Sequence, residues 1–539
     1  MPKEIRIYDT TLRDGAQTEG ITFTVEDKVK IARRLDDLGV DYLEGGFGNP
    51  TDAAFFERMR KEPLRRARLA AFVSTRRARA SAEKDTNLVA ALASGAPVIT
   101  IFGKSWDLHV RDTLRTTLDE NLRMIKDSVA FCAGQGREVV YDAEHFFDGF
   151  KHNPEYALAT LEAAAAGGAA VLVLCDTNGG TMPWEAAEVV RRVRECTSVP
   201  LGIHAHNDSD LAVAVTLEAV RLGVGHIQGT INGYGERCGN ANLCSILPNI
   251  QLKLGRQVLP AAALRKLYAV AHYVAEIANQ APAERQPFVG RSAFAHKAGV
   301  HVDAVMKRPD SYEHVAPAAV GNERRLVVSQ QAGASTVVGK TRALRLKLEK
   351  DSEQTRLILE RLKQMEADGY QFEGAEASFE LLVKRATGEY RRLFELEGFR
   401  VIVEKRGEGD VFCEATIKVR VNGVPEHTAA EGDGPVHALD GALRKALDKF
   451  YPELADIALT DFKVRVLDTS EGTAAKVRVL LESRDEENSW STMGVHTNII
   501  EASWEALVDS VVYGLMRKGV TGPGERKGQR GASKHGRPR

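Results

Sequence analysis

The segment HAHND, residues 204–208, ends a short apolar run and passes directly into a helix-like pattern. Alternate side chains of an extended strand share one face, so His204 and His206 can direct both imidazoles to one point. Two unrelated polar residues at a strand end would give the same letters, but imidazole is a common metal ligand. The segment predicts a strand that opens into a helix and carries metal ligands.

A second segment of this kind lies near the N-terminus. Residues 9–15, DTTLRDG, follow the strand-like run EIRIY at 4–8. If both strand ends lie on one face of a single sheet, Asp14 joins His204 and His206 around one divalent ion.

Between residue 5 and about residue 255, short apolar runs alternate with helix-length amphipathic segments. This alternation is typical of βα units around a parallel sheet. Eight such units favour a closed (β/α)8 TIM barrel, and a doubly wound open sheet is the competing α/β architecture. The predicted strands are 5–8, 42–45, 69–73, 98–102, 138–142, 171–175, 201–204 and 226–230.

The helical segments support the barrel. Residues 25–35 place apolar side chains at helical spacing, and Gly39 is positioned to end this helix. Pro183 lies near the start of a later helical run, where its missing N–H is tolerated.

The barrel has a chemical consequence, because TIM-barrel enzymes place the active site at the C-terminal ends of the strands. After the eighth strand comes the glycine-rich segment 229–243, in which Asn240 offers a neutral oxygen donor. Neither a dinucleotide-binding fingerprint nor a P-loop occurs, so nicotinamide and ATP chemistry have no support. The polar residues at or just beyond predicted strand ends are Asp14, Glu44, Glu144, Asp176, His204 and His206.

Outside the barrel, the segment FAHKAGVHVD at 294–303 groups two histidines, a lysine and an aspartate. Such a cluster indicates a lid or a contribution to a partner chain's site, and a solvated polar loop is the alternative. Residues 344–365 form a predicted linker helix with a charged, solvated face.

From about residue 374 the pattern changes to a βββα-type repeat, which indicates an α+β domain. No acid/base cluster like that of the barrel recurs here, so we expect regulation or assembly rather than catalysis. Strands are predicted at 380–384, 399–403, 413–419, 462–467 and 475–481, and helices at 438–447 and 500–515.

The chain has 539 residues, which is too long for one ordinary core. We predict a catalytic barrel at 1–270, helical linker or lid subdomains at 271–373 and an α+β regulatory and dimerisation domain at 374–516. A basic, glycine-rich tail at 517–539 is predicted to be disordered, with RNA binding as the less favoured alternative.

Composition excludes several classes of protein. Apolar residues make up 43% and charged residues 27%, as in ordinary globular proteins. No run of about 20 apolar residues and no signal peptide is visible, so we expect a cytoplasmic protein without a membrane segment. The six cysteines form no Cys-x-x-Cys pair, which fits reduced thiols, and a net charge of −1 gives no general attraction to nucleic acid.

Four motifs resemble a known family: DTTLRDGxQ at 9–17, CDTNG at 175–179, HAHND at 204–208 and GYGERCGN at 233–240. Together they resemble the metal-dependent acyl-CoA-condensing barrel enzymes, the family of the 2-isopropylmalate, homocitrate and citramalate synthases. The resemblance covers almost the whole chain, because the C-terminal part is similar to the regulatory domain of isopropylmalate-type synthases.

Three further segments are most similar to the citramalate synthase branch: FGKSWDLHV at 102–110, AEHFFDG at 143–149 and GVHTNIIEASW at 494–504. One departure is GGFGNP at 45–50, which is shorter than the loop of that branch and lacks its Trp and Pro-Gly-Ser. This loop borders the predicted pocket, so the departure leaves the preferred keto acid open.

The resemblance implies the condensation of acetyl-CoA with pyruvate and water to give (R)-citramalate and CoA, the first step of the pyruvate route to isoleucine. It implies a divalent ion, Mg²⁺, Mn²⁺ or Zn²⁺, held by Asp14, His204, His206 and Asn240, that polarises the keto carbonyl. Isoleucine is the implied effector, bound by the C-terminal domain.

The resemblance also implies roles for other barrel residues. Arg13 stabilises negative charge on oxygen, with a structural ion pair as the alternative. Thr177 holds the keto-acid carboxylate, and Gln17 binds substrate. Glu144 is a catalytic carboxylate that orients substrate or water, with a structural hydrogen-bonding role as the alternative.

The implied acid/base residues lie outside the barrel. His301 and Tyr312 match family positions for this work, and Asp303 is placed to orient the His301 ring. His296 is the nearest competitor as general base. In the family these residues reach the barrel of the neighbouring subunit, which implies a homodimer.

Three rival functions stay open. The closest is a sibling synthase that uses 2-oxoisovalerate or 2-oxoglutarate. A hydroxymethylglutaryl-CoA lyase is disfavoured by the long C-terminal domain, since a degradative lyase needs no sensor of an end product. A non-catalytic protein that keeps the fold is disfavoured by the complete set Arg13, Asp14, Glu144, His204 and His206.

Overall fold

The computed structural model describes residues 5–46, 50–260, 262–327, 334–343, 348–349, 352–405, 407, 409–467, 472, 474–486 and 488–520. The chain divides into two compact units, Met1–Phe294 with Glu313–Arg324, and Ala295–Tyr312 with Arg325–Arg539. Residues 47–49 of the shortened loop 45–50 and residues 521–539 of the tail predicted at 517–539 lie outside the described residues. Within the described ranges, no helix is both long and apolar enough to cross a membrane.

The first unit contains a closed barrel of eight parallel strands. The strands are β1 (Arg6–Asp9), β2 (Tyr42–Glu44), β3 (Arg68–Ser74), β4 (Val98–Lys104), β5 (Glu138–Glu144), β6 (Val171–Asp176), β7 (Leu201–Ala205) and β8 (His226–Gly229). Strand β1 pairs with β2 on one side and with β8 on the other, so the sheet has no free edge. The predicted barrel is confirmed, and the open sheet is excluded.

Helices surround the barrel. They are α1 (Val25–Leu38), α2 (Pro50–Lys61), α3 (Thr86–Ala93), α4 (Leu118–Gly134), α5 (Phe146–His152), α6 (Pro154–Gly167), α7 (Pro183–Cys196), α8 (Ala212–Arg221), α9 (Leu243–Pro248) and α10 (Leu267–Ile277). Thr24 and Asp27 form a capping box that starts α1, and Gly39, at φ +97°, ends it. Pro183 occupies the first turn of α7, as predicted.

Buried side chains fill the barrel interior up to the C-terminal ends of the strands. Buried strand side chains, among them Tyr8, Tyr42, Val98 and Val140, form a cluster there that is separate from the apolar layer between strands and helices. This packing leaves the C-terminal ends of the strands as the place for a site.

The second unit begins with two short paired strands, β9 (Ala295–His296) and β10 (Arg325–Leu326), and four helices. The helices are α11 (Gly299–Lys307), α12 (Ala334–Ala343), α13 (Glu353–Ala367) and α14 (Glu376–Thr387). Two antiparallel three-stranded sheets follow, each succeeded by one helix, which confirms the α+β repeat. Their elements are β11 (Glu395–Lys405), β12 (Val411–Val421), β13 (Val424–Gly432), α15 (Pro435–Leu447), β14 (Ala458–Val466), β15 (Val477–Arg484), β16 (Ser489–His496) and α16 (Ile499–Arg517).

The strand predicted at 380–384 is wrong, because these residues lie inside α14. Leu381, Leu382 and Val383 are all buried. A helix that is buried on more than one face has the same uninterrupted apolar sequence as a buried strand. The prediction missed β13, whose sequence VPEHTAAEG has few apolar side chains, and also missed β16.

Candidate active site

A cavity of about 220 Å³ opens where the barrel strands end. Seven predicted site residues line it: Arg13, Asp14, Gln17, Glu144, Thr177, His204 and His206. Six residues to which the sequence assigned no role line it as well: Phe72, Phe102, Asp142, Cys175, Glu236 and Arg237.

Asp14, His204 and His206 converge at one edge of this cavity. His204 Nε2 lies 3.3 Å from His206 Nε2 and 3.3 Å from Asp14 Oδ2, and all three side chains are buried. Ligand atoms of one metal ion lie at about such separations, since each is roughly 2 Å from the ion. The three side chains, which lie at or beyond the C-terminal ends of β1 and β7, therefore fit a divalent cation.

The electrostatics give these residues the protonation states that a metal site needs. Burial opposes ionisation of Asp14, but Arg13 and the two imidazoles outweigh it and lower the pKa of Asp14 to about 2. Burial and the neighbouring His204 lower the pKa of His206 to about 4, and burial also lowers the pKa of His204. At neutral pH the site holds one carboxylate and two neutral imidazoles.

Asn240 reaches this cluster from the loop after β8. Its Nδ2 donates to Asp14 Oδ2 at 2.7 Å, and its buried Oδ1 has no hydrogen-bond partner among the described residues. The loop folds back onto the end of β7, because Asn207 N–H donates to the Gly239 carbonyl and His206 bridges to Asn240. The Asn240 amide thus lies beside the cluster, and its role as an oxygen ligand stays a prediction.

Arg13 is held in a fixed orientation by Glu44, which is completely buried at the end of β2. Nε and Nη2 of Arg13 each donate to the carboxylate at 3.1 Å, and the guanidinium lies 3.8 Å from the centre of the Phe72 ring. Nη1 lies 3.5 Å from Asp14 Oδ2. The structural and the catalytic interpretations of Arg13 are therefore compatible, because the ion pair with Glu44 orients the guanidinium that lines the cavity.

Thr177 and Glu144 lie at the ends of β6 and β5. The Thr177 hydroxyl oxygen accepts from the His145 backbone N–H at 2.9 Å, which leaves the hydroxyl proton free for a ligand. Glu144 Oε2 lies 2.5 Å from Lys104 Nζ. His145 has φ +56°, an uncommon value for a residue other than glycine, and this bend brings its N–H to Thr177.

Arg237 is a lining residue that the sequence analysis missed. It donates to both Asp208 oxygens at 2.7 and 2.9 Å and to the Thr177 carbonyl at 2.7 Å, so it joins the loops after β6, β7 and β8. Its position inside the glycine-rich segment 229–243 was the one sequence feature that could have indicated Arg237 as a site residue. Phe72 and Phe102 stack with ring centres 4.9 Å apart and form an apolar wall. Nothing in the apolar runs of β3 and β4 distinguishes these rings from core residues.

The chain matches the HMGL-like family over residues 4–274, the homocitrate synthase post-HMGL domain-like family over 288–370 and the LeuA allosteric (dimerisation) domain over 373–515. It is 54% identical to the (R)-citramalate synthase of Geobacter sulfurreducens over 95% of this chain and 97% of that protein. The corresponding enzyme of Aquifex aeolicus is 51% identical over 96% of this chain and 99% of its own length.

The chain belongs to the HMGL-like family and, within it, to the (R)-citramalate synthases. The resemblance seen in the four motifs is confirmed. A probable 2-isopropylmalate synthase of Methanopyrus kandleri is 30% identical over 95% of this chain and 98% of its own length. Among solved structures, an HMG-CoA lyase of Bacillus subtilis is similar to 53% of this chain and 97% of its own, with 21% identity and a TM-score of 0.45.

The acid/base candidates of this family lie in the second unit, whereas the cavity lies in the first. The rings of His301 and Tyr312 are in contact, with centres 4.3 Å apart and planes inclined by 32°, and both side chains are exposed. Asp303 pairs with Lys307 at 2.5 Å, and His296 is buried in β9. The role of these residues at the barrel stays a prediction.

Proposed function

We propose that the protein is an (R)-citramalate synthase that condenses acetyl-CoA with pyruvate and water and releases CoA. The observation that carries this proposal is 47–54% identity to five (R)-citramalate synthases over 94–96% of the chain. The product is the first intermediate of the pyruvate route to isoleucine, and a cytoplasmic location is proposed with it.

The proposal includes a divalent cation held by Asp14, His204 and His206, with Asn240 as a further donor. A mixed set of nitrogen and oxygen ligands suits Mg²⁺, Mn²⁺ or Zn²⁺. Bound there, the cation supplies Lewis acidity toward the carbonyl of the keto acid.

The chain's own residues account for the other requirements of the condensation. A base removes a methyl proton from acetyl-CoA, and the resulting enolate carbon forms a bond to the keto carbon of pyruvate. Negative charge moves to the keto oxygen, where the guanidinium of Arg13 stabilises it until an acid group donates a proton and forms the hydroxyl of citramalate. The free hydroxyl proton of Thr177 binds the pyruvate carboxylate, and Gln17 lines the same pocket.

Hydrolysis of the thioester completes the reaction. Water adds to the acyl carbon, the carbon–sulfur bond breaks, and CoA leaves as the thiol. Glu144 orients this water, and Lys104 Nζ lies 2.5 Å from the Glu144 carboxylate. His301, Tyr312 and Asp303 supply acid/base groups from a partner chain, with His296 as the alternative base.

The partner-chain arrangement has a direct test. His206→Ala inactivates a barrel, and His301→Ala inactivates a lid. In a mixed dimer, the intact barrel of the His301→Ala subunit receives the intact lid of the His206→Ala subunit, which gives one complete site of two. About half of the dimers in an equal mixture are mixed, so the mixture should recover about a quarter of wild-type turnover. If the mixture shows no recovery of turnover after the subunits have exchanged, a lid supplied by the partner chain is contradicted.

We further propose isoleucine as the effector and the LeuA-type domain as the dimer contact. Support comes from the match to an allosteric (dimerisation) domain over residues 373–515. The domain limits 1–270, 271–373 and 374–516 remain part of this proposal.

Release of CoA thiol tests the function. Pyruvate should support turnover at least tenfold above 2-oxoisovalerate and 2-oxoglutarate, and chelation of divalent cations should abolish it. His206→Ala should lose activity and stay folded, while His427→Ala, at an exposed position on β13, should behave like the wild type. A preference for 2-oxoisovalerate would identify the sibling synthase instead.

A further inference from the structure

Behind the candidate metal centre, a chain of buried hydrogen bonds connects three barrel strands. His204 Nδ1 lies 2.9 Å from Gln228 Oε1, and Gln228 Nε2 donates to Asp142 Oδ1 at 2.9 Å. Gln228 is completely buried, Asp142 is 4% exposed and His204 is 6% exposed. None of the motifs that carry the family resemblance contains Gln228.

The direction of these hydrogen bonds fixes the tautomer of His204. Gln228 Nε2 is the donor to Asp142 Oδ1, so the amide nitrogen of Gln228 faces Asp142. The amide oxygen then faces His204 Nδ1, which must carry the proton. His204 Nε2 is left with its lone pair directed toward Asp14 and His206.

The opposite amide orientation would have the opposite effect. With the amide nitrogen facing His204, Nδ1 would have to accept, and the proton would move to Nε2, on the side of Asp14. That tautomer cannot bind a metal ion through Nε2. No comparable bond is seen at His206, whose buried Nδ1 has no hydrogen-bond partner among the described residues.

We propose that Gln228, oriented by Asp142, is a positioning residue that holds His204 in the metal-binding tautomer. This inference rests on the proposed metal centre. Hydrogen-bonding partners behind a metal-binding histidine commonly determine metal affinity, and their loss weakens binding about 10- to 100-fold.

Metal affinity of the full-length protein, measured without substrates, tests the inference. Mn²⁺ is titrated calorimetrically into chelator-stripped protein. Gln228→Leu removes the acceptor and should weaken Mn²⁺ binding about 10- to 100-fold. Gln228→Glu keeps an oxygen that faces His204 Nδ1, and it should bind Mn²⁺ within about threefold of the wild type, since the acceptor is retained.

A matched control lies two positions earlier on the same strand. His226→Phe also replaces a buried polar side chain of β8, and it should leave Mn²⁺ affinity unchanged. If Gln228→Leu does not fold, as judged by its thermal melt, Gln228→Met takes its place with a side chain of similar length. Equal losses in His226→Phe and Gln228→Leu would assign the effect to barrel packing and overturn the inference.

Two other results overturn it: wild-type affinity in the Leu or Met variant, or a Glu variant as weak as the Leu variant. A wild-type protein that binds no Mn²⁺ overturns it together with the metal centre. Citramalate formation is measured separately. A chain that makes citramalate but whose Gln228→Leu variant keeps its metal affinity refutes this inference and leaves the proposed function standing.

Discussion

At the scale of single residues, the pair Arg13 and Glu44 shows how a buried carboxylate orients a cation at the cavity. The two hydrogen bonds of 3.1 Å require the planar fork of a guanidinium. Arg13→Lys keeps the charge but cannot make both bonds, and we expect kcat to fall about 10²-fold or more. Arg34→Lys, which changes an arginine stacked on Tyr273 outside the site, should leave turnover unchanged. Wild-type kcat in Arg13→Lys would show that orientation of the cation is unimportant.

His226 gives a prediction about stability. Its ring contacts Tyr8 and Tyr42 inside the barrel, and neither ring nitrogen has a hydrogen-bond partner among the described residues. Burial and the charge of Arg6 lower the pKa of His226 to about 3. Below the unfolded pKa of about 6.5, the unfolded chain binds a proton that the folded chain does not, so stability falls as the pH drops from about 6.5 toward 3.

Replacement of His226 by Phe should remove this loss and the cost of burying an unpaired polar ring. We expect His226→Phe to be more stable by about 1–3 kcal/mol at neutral pH, and by more at pH 5. Thermal melts at pH 7.5 and pH 5 measure both effects. His427→Gln, at an exposed site, serves as the control, and a larger pH dependence in His226→Phe would contradict the argument.

The ligand residues could be predicted from the sequence, and so could the position of Glu44 at a strand end, whereas the pairing of the supporting residues could not. His204 and His206 share a strand face by local geometry alone, and the motif of Asp14 follows another strand. Gln228 and Glu44 act through partners on other strands, and only the closed barrel determines which side chains face one another. Their sequence context gives no sign of this pairing.

At the scale of elements, the loop after β8 depends on Gly239. Its φ is +88°, and a Cβ there would lie 2.0 Å from the Gly233 carbonyl oxygen. Gly239→Ala should displace the loop, take Asn240 away from Asp14 and lower kcat about 10²-fold, since a displaced site group commonly costs that much. The rest of the barrel should stay folded.

Gly180→Ala is the matched control for this loop. Gly180 lies in the loop after β6, where a Cβ would have no heavy atom within 4 Å and φ is not positive. Turnover and melting temperature of the two variants are compared. Similar turnover in both variants would show that the position of the Gly239 loop does not govern the reaction.

Elements with strong periodicity could be predicted, and elements whose pattern depends on packing could not. All eight barrel strands are short apolar runs between amphipathic helices, so local pattern and architecture agree. In α14, Phe379, Leu382 and Val383 pack in one core, while Ala377 and Leu381 pack in another. Burial on both sides removes the polar face that would have indicated a helix.

At the scale of the whole molecule, α14 matters for where the linker ends and the regulatory domain begins. Its residues Phe379 and Leu382 share a core with Ile358 and Leu362 of α13. A boundary at 373/374 therefore cuts through a packed cluster of the second unit. On its other side α14 is joined to α16, because Asp509 accepts from Ser378 and Arg385.

Two truncated chains distinguish these boundaries. A chain that ends at Gly388 keeps Phe379, Leu382 and Val383, each worth about 1.5–3 kcal/mol of burial, whereas a chain that ends at Glu373 loses all three. We expect the longer chain to stay folded and to lose most of its pyruvate-dependent thiol release together with the proposed dimer contact. The thiol release that remains should be insensitive to isoleucine. The shorter one should melt at a lower temperature and lose more activity. Inhibition by isoleucine that persists after truncation at Gly388 would place the effector site before the end of α14. Equal melting temperatures of the two truncated chains would show that α14 adds nothing to the linker core.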